Sequence, residues 1–232
     1  MTASRAAHTI SLRALAHPVA LRQSALFCLT WIGTTLLVAT LEATADPLTA
    51  WERLLGIVFG LLIPGLAFTA TLAMYRLLAN PLEPAALSAR HGANRRHGLS
   101  ISVASTMAQA ILVTCAAIVV SRVACHGATE SIWNHDLALC CGIGCLATAT
   151  YIAYFFAATR LGFGRAGAWV AFGVDLTLGH IDAGWAFLLP HRHVVNLIGH
   201  PGVFAISARA SSWVLVGIFL LGLTFASART PR

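Results

Sequence analysis

The sequence predicts an all-α, polytopic membrane protein with six transmembrane helices and cytoplasmic N- and C-termini. Three observations lead there. Hydrophobic residues make up 58% of the 232 and charged residues 10%, against about 25% charged in a typical soluble domain. The apolar residues gather into six long runs, at 23–41, 54–75, 98–121, 137–159, 166–189 and 210–228. All fifteen basic side chains are arginine, and almost none lies inside those runs. A hydrocarbon core of about 30 Å takes about 20 helical residues at about 1.5 Å each, so every run is long enough to cross. Backbone amides in lipid must be satisfied within the segment or in a closed barrel, and these runs lack the apolar/polar alternation of barrel strands.

In chain order, residues 1–22 form a cytoplasmic amphipathic leader. Leu12, Leu15 and Val19 share one helical face, Arg13, His17 and Arg22 lie elsewhere, and Pro18 ends or bends the segment. Two readings stand: a short helix in the interface with its apolar face in lipid, or a basic leader that only sets topology. The first run follows Arg22 and precedes Glu42 and Asp46 with no small-residue cleavage site, so it reads as a span and not a signal peptide. The second run carries Gly56 and Gly60 as a small-xxx-small pair, and Pro64 kinks the helix beyond them; both read as packing features.

The longest loop, 76–97, contains Pro81 and Pro84, which break the second helix, and the run from Glu83 to Leu87 reads as a new helix start with proline in its first turn. Leu87, Arg90, His91, Arg95, Arg96 and His97 then present a basic, partly apolar surface. It is either a docking site for a soluble partner or a loop obeying topology. The third and fourth runs are followed by Gly162-Phe163-Gly164-Arg165-Ala166-Gly167, which matches G-x-G-x-x-G by letter. A dinucleotide site needs a preceding strand, whereas this stretch joins two apolar helices and reads as a tight turn. The fifth run is interrupted by Asp175, His180 and Asp182, so its span ends near Gly179. Between 180 and 209 the apolar pieces are too short to span and too apolar for a free loop. They predict interfacial or re-entrant helices broken at Pro190 and Pro201.

Charge orients the bundle. Eleven arginines fall before the first run, between the second and third, between the fourth and fifth, and after the last; Arg53, Arg122, Arg192 and Arg209 fall on the other side with Glu42, Asp46, Glu52, Glu130 and Asp136. The positive-inside rule puts both ends in the cytoplasm. The net charge of +7 follows this topology and forms no basic cluster with interleaved aromatics, which argues against nucleic acid. Arginine without lysine suggests a GC-rich genome and hence a bacterial cytoplasmic (inner) membrane.

A Walker A motif requires lysine, so any ATP-driven work is done by another chain. G-x-S-x-G and H-E-x-x-H are also absent. None of the six cysteines forms C-x-x-C, and they read as small hydrophobes, with a Cys125–Cys140 disulfide open. His180, His191, His193 and His200 with Asp182 are the only candidate metal or haem set. Asp175 lies ten residues after Arg165, about 15 Å along a helix and near the bilayer midplane. A carboxylate there needs a partner or water, so Asp175 either lines a hydrated path or makes a structural hydrogen bond, to Thr177 or a hydroxyl of a neighbouring span.

The leader, six spans with both ends inside, a cytoplasmic helix between spans two and three, and a broken outer hairpin before span six resemble the permease, or membrane subunit, of an ABC-2-type transporter. Leu82 to Leu87 leading into Arg90 to Arg96 is similar to the region where such permeases meet their ATPase, and Leu188 to Val195 is similar to their outer segment. The resemblance implies a transport subunit with no catalytic site, metal or cofactor of its own. It implies partnership with cytoplasmic ATPase subunits that bind the ATP and with a second permease copy or related subunit. Coupling would run through Glu83, Leu87, Arg90, Arg95 and Arg96, with Asp175 and His180 as the intramembrane polar residues. A histidine-ligated haem or metal protein and a non-catalytic membrane scaffold are the alternatives.

Overall fold

The computed structural model describes residues 18–45, 49–78, 95–126, 135–161, 163–181, 183–199 and 206–228. Among these residues there is no strand. The elements are α1 (Pro18–Ala45), α2 (Ala50–Ile57), a π turn (Val58–Leu62), α3 (Ile63–Leu78), α4 (Arg95–His126), α5 (His135–Thr159), α6 (Arg165–Leu178), a 3₁₀ turn (Gly184–Leu188), α7 (Pro190–Leu197) and α8 (Ala208–Ala228).

Among the described residues, five stretches are long and apolar enough to cross a membrane: Ala25–Ala45, Ala50–Tyr75, Val103–Cys125, Asp136–Thr159 and Ala208–Phe225. The chain is therefore a multi-pass membrane protein. Large apolar side chains point outward along these helices, among them Leu29, Leu112, Trp213 and Leu221, each about 70% exposed. So continuous an apolar exterior is suited to lipid and not to water.

The fifth run behaves differently. α6 has 14 residues, about 21 Å of helix, which falls short of a crossing. The chain then turns at Gly179, passes through the 3₁₀ turn and enters α7, where Pro190 supplies a first residue that needs no hydrogen-bond acceptor. Pro190 thus starts a helix. Pro190, His191, Arg192, His193 and Val194 are all buried, so α7 lies within the bundle. Pro201 is outside the described residues.

Two helix ends are set among the described residues. α1 begins at Pro18 and continues into the first span, and the preceding segment that Pro18 was expected to end or bend lies outside the described residues. α4 already starts at Arg95, and α3 runs on to Leu78, which shortens the loop read at 76–97. Residues 1–17, with most of the leader, lie outside the described residues.

α5 is the central helix, packing against α3, α4, α6, α7 and α8, while α1 lies against α4 and α2. Phe68 of α3 anchors an aromatic cluster with Phe155 of α5 and Trp169 and Phe172 of α6, at ring-centroid distances of 5.8, 4.6 and 4.7 Å. Close approach elsewhere relies on small residues, as expected where lipid supplies no hydrophobic drive between helices. A Cβ on Gly222 of α8 would meet the Ala153 carbonyl oxygen of α5 at 2.8 Å. Thr114 of α4 and Thr148 of α5 share a hydrogen bond of 2.8 Å.

Both ends of the bundle carry arginines over polar or aromatic partners. Arg53 pairs with Glu42 at 3.3 Å and Arg122 lies over Trp51 at one end. Arg160 over Phe156 and Arg165 over Tyr75 mark the other. All six cysteines are free thiols, so Cys125 and Cys140 are not joined; Cys115 and Cys145 approach to 3.6 Å across the α4–α5 contact.

Candidate functional site: a buried Asp–His–Tyr cluster at mid-depth

The site is built where α6 stops. Asp175 is buried, and its Oδ1 accepts the backbone N–H of His191 at 3.1 Å. The first N–H groups of any helix lack intrahelical acceptors, and α7 has no cap of its own because Leu189 precedes it. The carboxylate of α6 therefore caps α7 from 16 positions earlier. The partner anticipated for Asp175 was a hydroxyl; Thr177 instead donates to its own Gly173 carbonyl.

The π turn makes room for this contact. Pro64 has no N–H to give the carbonyl four residues back, and the helix absorbs the gap by widening just before it, with the Ile63 N–H bonded to the Val58 carbonyl. Gly60 lies in the widened turn, and a Cβ there would meet His191 Cε1 at 3.6 Å. Of the pair Gly56 and Gly60, read as a packing feature, Gly60 packs against α7, while a Cβ on Gly56 would meet open space. Gly60 is ten residues beyond Ala50, and Asp175 ten beyond Arg165 from the opposite end. Each count gives about 15 Å, so both helices place the cluster near the bilayer centre.

Around Asp175, Tyr151 of α5 is fully buried, and its hydroxyl faces the carboxylate while lying outside hydrogen-bonding geometry. The His191 Nδ1 is likewise buried without a hydrogen-bond partner. His180, just past α6, is exposed, bonds the Leu176 carbonyl through Nδ1 at 2.7 Å, and brings its ring to 4.0 Å from that of His191. A cleft of about 520 Å³ lined by Glu42, Arg53, Gly56, Gly60, Leu176 and His180 leads from the end of the bundle to His180.

The opposite face of α7 is saturated. His193 Nε2–H donates to the Phe187 carbonyl at 2.9 Å; its Nδ1 lies 3.3 Å from the Ser211 hydroxyl, which also accepts from Asn196 at 2.8 Å. These bonds suit a neutral imidazole, one ring nitrogen donating and the other free to accept.

The chain matches no protein-family model, no curated protein and no solved structure. What it does must be argued from its own geometry. Among the described residues no three His, Cys, Asp or Glu side chains converge on a position that could hold a metal ion; His200 and Asp182 of the histidine set lie outside them. Of the coupling residues, Glu83, Leu87 and Arg90 also lie outside the described residues, while Arg95 and Arg96 open α4. Asp175 and His180 are brought together, and His191, Tyr151 and Gly60 join them. Sequence reading assigned His191 to a metal set and gave Tyr151 no role; the signal available was a buried carboxylate in need of a donor.

A second cavity, about 970 Å³ and almost wholly apolar, lies where α5, α6 and α8 diverge, lined by Tyr154, Ala158, Gly167, Ala171, Leu221 and Gly222 among others. The bend from Arg160 to Gly164 closes beside it, and Gly164 takes a positive φ of 53° that favours glycine. It joins two helices, so the G-x-G-x-x-G letters lack the strand a dinucleotide site requires.

Proposed function

We propose that this protein is the membrane-spanning permease subunit of an ATP-driven, ABC-type transporter, with both termini cytoplasmic and ATP hydrolysed by separate subunits. The observation that supports it is the α6–α7 hairpin. A helix that stops halfway and a short helix held inside the bundle create irregular backbone at membrane depth, which is tolerated only where protein or a hydrated path surrounds it. Paired with a second copy, such a subunit would bound the path for an unidentified substrate, and Glu83, Leu87, Arg90, Arg95 and Arg96 would carry the ATPase movement to α3 and α4. The arginine distribution and the lack of lysine fit a cytoplasmic docking surface on a chain that cannot bind nucleotide through a P-loop.

The test is purification of the tagged protein from its native membrane in mild detergent. An ATPase is expected to accompany it, and the triple change Arg90→Glu, Arg95→Glu and Arg96→Glu is expected to release that ATPase while the protein still inserts. A complex containing no ATPase would overturn the reading; an ATPase retained by the triple variant would overturn the docking surface.

A further inference from the structure

We propose that His180, His191, Asp175 and Tyr151 form a proton relay, filled from the cleft beside Glu42 and Arg53, whose terminal acceptor is the Asp175 carboxylate. The inference does not depend on an ATPase or on transport.

Four observations carry it. A buried carboxylate sits near the bilayer centre on a helix too short to cross. Two fully enclosed polar atoms beside it, Tyr151 Oη and His191 Nδ1, have no hydrogen-bond partner. Burying such atoms without partners is unfavourable, and they add nothing to α7 that its capped N-terminus and its bonds to Ser211 and Phe187 do not already supply. An exposed imidazole stands 4.0 Å, ring to ring, from one of them. A cleft of about 520 Å³ joins that imidazole to the end of the bundle.

His180 Nδ1 donates to a carbonyl, which leaves Nε2 as the atom open to a proton from the cleft. The His180 and His191 rings, with centroids 4.0 Å apart, do not both hold a positive charge, so a proton on His180 moves on rather than being joined by a second. It leaves His180, passes through the His191 ring, which takes up a proton on one nitrogen as the other gives one up, or through water held against Tyr151 Oη, and ends on Asp175. The imidazolium and carboxylate become neutral imidazole and carboxylic acid, with no change in total charge. The neutral acid is a weaker acceptor for the His191 N–H, so the bond that fixes the start of α7 loosens. The groups facing this centre are Tyr151 and Tyr154 from α5, His191 and Arg192 from α7, His180 from the end of α6, and Glu42 and Arg53 at the cleft from α1 and α2. The π turn contributes only Gly60.

The experiment is time-resolved infrared spectroscopy of the full-length protein in lipid nanodiscs after an acid jump, read at the carbonyl stretch of a protonated carboxyl. Asp175→Asn keeps an oxygen for the His191 N–H and removes the titrating group; His180→Gln changes only an exposed side chain. The wild type is expected to gain a band that Asp175→Asn lacks. His180→Gln is expected to reach the same band height about 100-fold more slowly, the scale of a lost proton-transfer group. A band that persists in Asp175→Asn, no band in the wild type, or an unchanged rate in His180→Gln overturns the relay. As a second readout, amide exchange at His191 and Arg192, corrected for its intrinsic pH dependence, is expected to speed up on acidification in the wild type and not in Asp175→Asn; equal behaviour in both would also overturn it.

Discussion

The backbone N–H of His191 is bonded to the side chain of Asp175 at 3.1 Å, so a residue on a helix that stops in mid-membrane holds the start of the next helix. The α6–α7 hairpin is pinned at that bond, at the π turn on one side and at Ser211 on the other.

Gly60 is the position where the π turn meets this hairpin. A methyl group would make ordinary contact with His191 Cε1 at 3.6 Å, so Gly60→Ala is expected to leave the melting temperature in detergent nearly unchanged. Gly60→Leu overfills the same space and is expected to cost about 1–3 kcal/mol. A leucine variant as stable as the alanine variant would show that α7 does not occupy the π turn.

At Gly222 no such tolerance exists. Its missing Cβ would meet a backbone oxygen, Ala153 O, at 2.8 Å, and backbone cannot rotate away. Gly222→Ala is expected to destabilise by about 1–3 kcal/mol through separation of α5 and α8. Thermal or denaturant unfolding in micelles measures it, and Gly217→Ala, with open space around that position, is the control.

Topology is tested at the loop that the arginines place in the cytoplasm. Ser88→Cys, in a chain whose six cysteines are replaced by alanine, is expected to react with an impermeant maleimide only after the cell membrane is opened. Labelling of intact cells would reverse the orientation.

Five spans were legible in the sequence because length and hydropathy act over twenty residues and need no knowledge of neighbours. The fifth run was harder. Asp175 was legible as a charge that must be partnered, but its partner is a backbone amide on a helix, Pro190–Leu197, whose histidines and arginine look exposed when read alone. Pro64 signalled a distortion, yet whether a proline yields a kink or a π turn depends on what packs beside it, here His191. Tyr151 carried no local signal, since a tyrosine among Ala, Ile and Phe reads as core until the carboxylate opposite is known.

The meeting of Gly222 with the Ala153 carbonyl limits how this molecule changes shape. α8 is geared to α5 at a contact with no slack, so neither helix turns about its own axis without the other, and the two travel as one rigid strut. Any rearrangement at the bilayer centre then falls to the part of the hairpin beyond the Trp169 and Phe172 ring contacts, where a single hydrogen bond joins Asp175 to the start of α7.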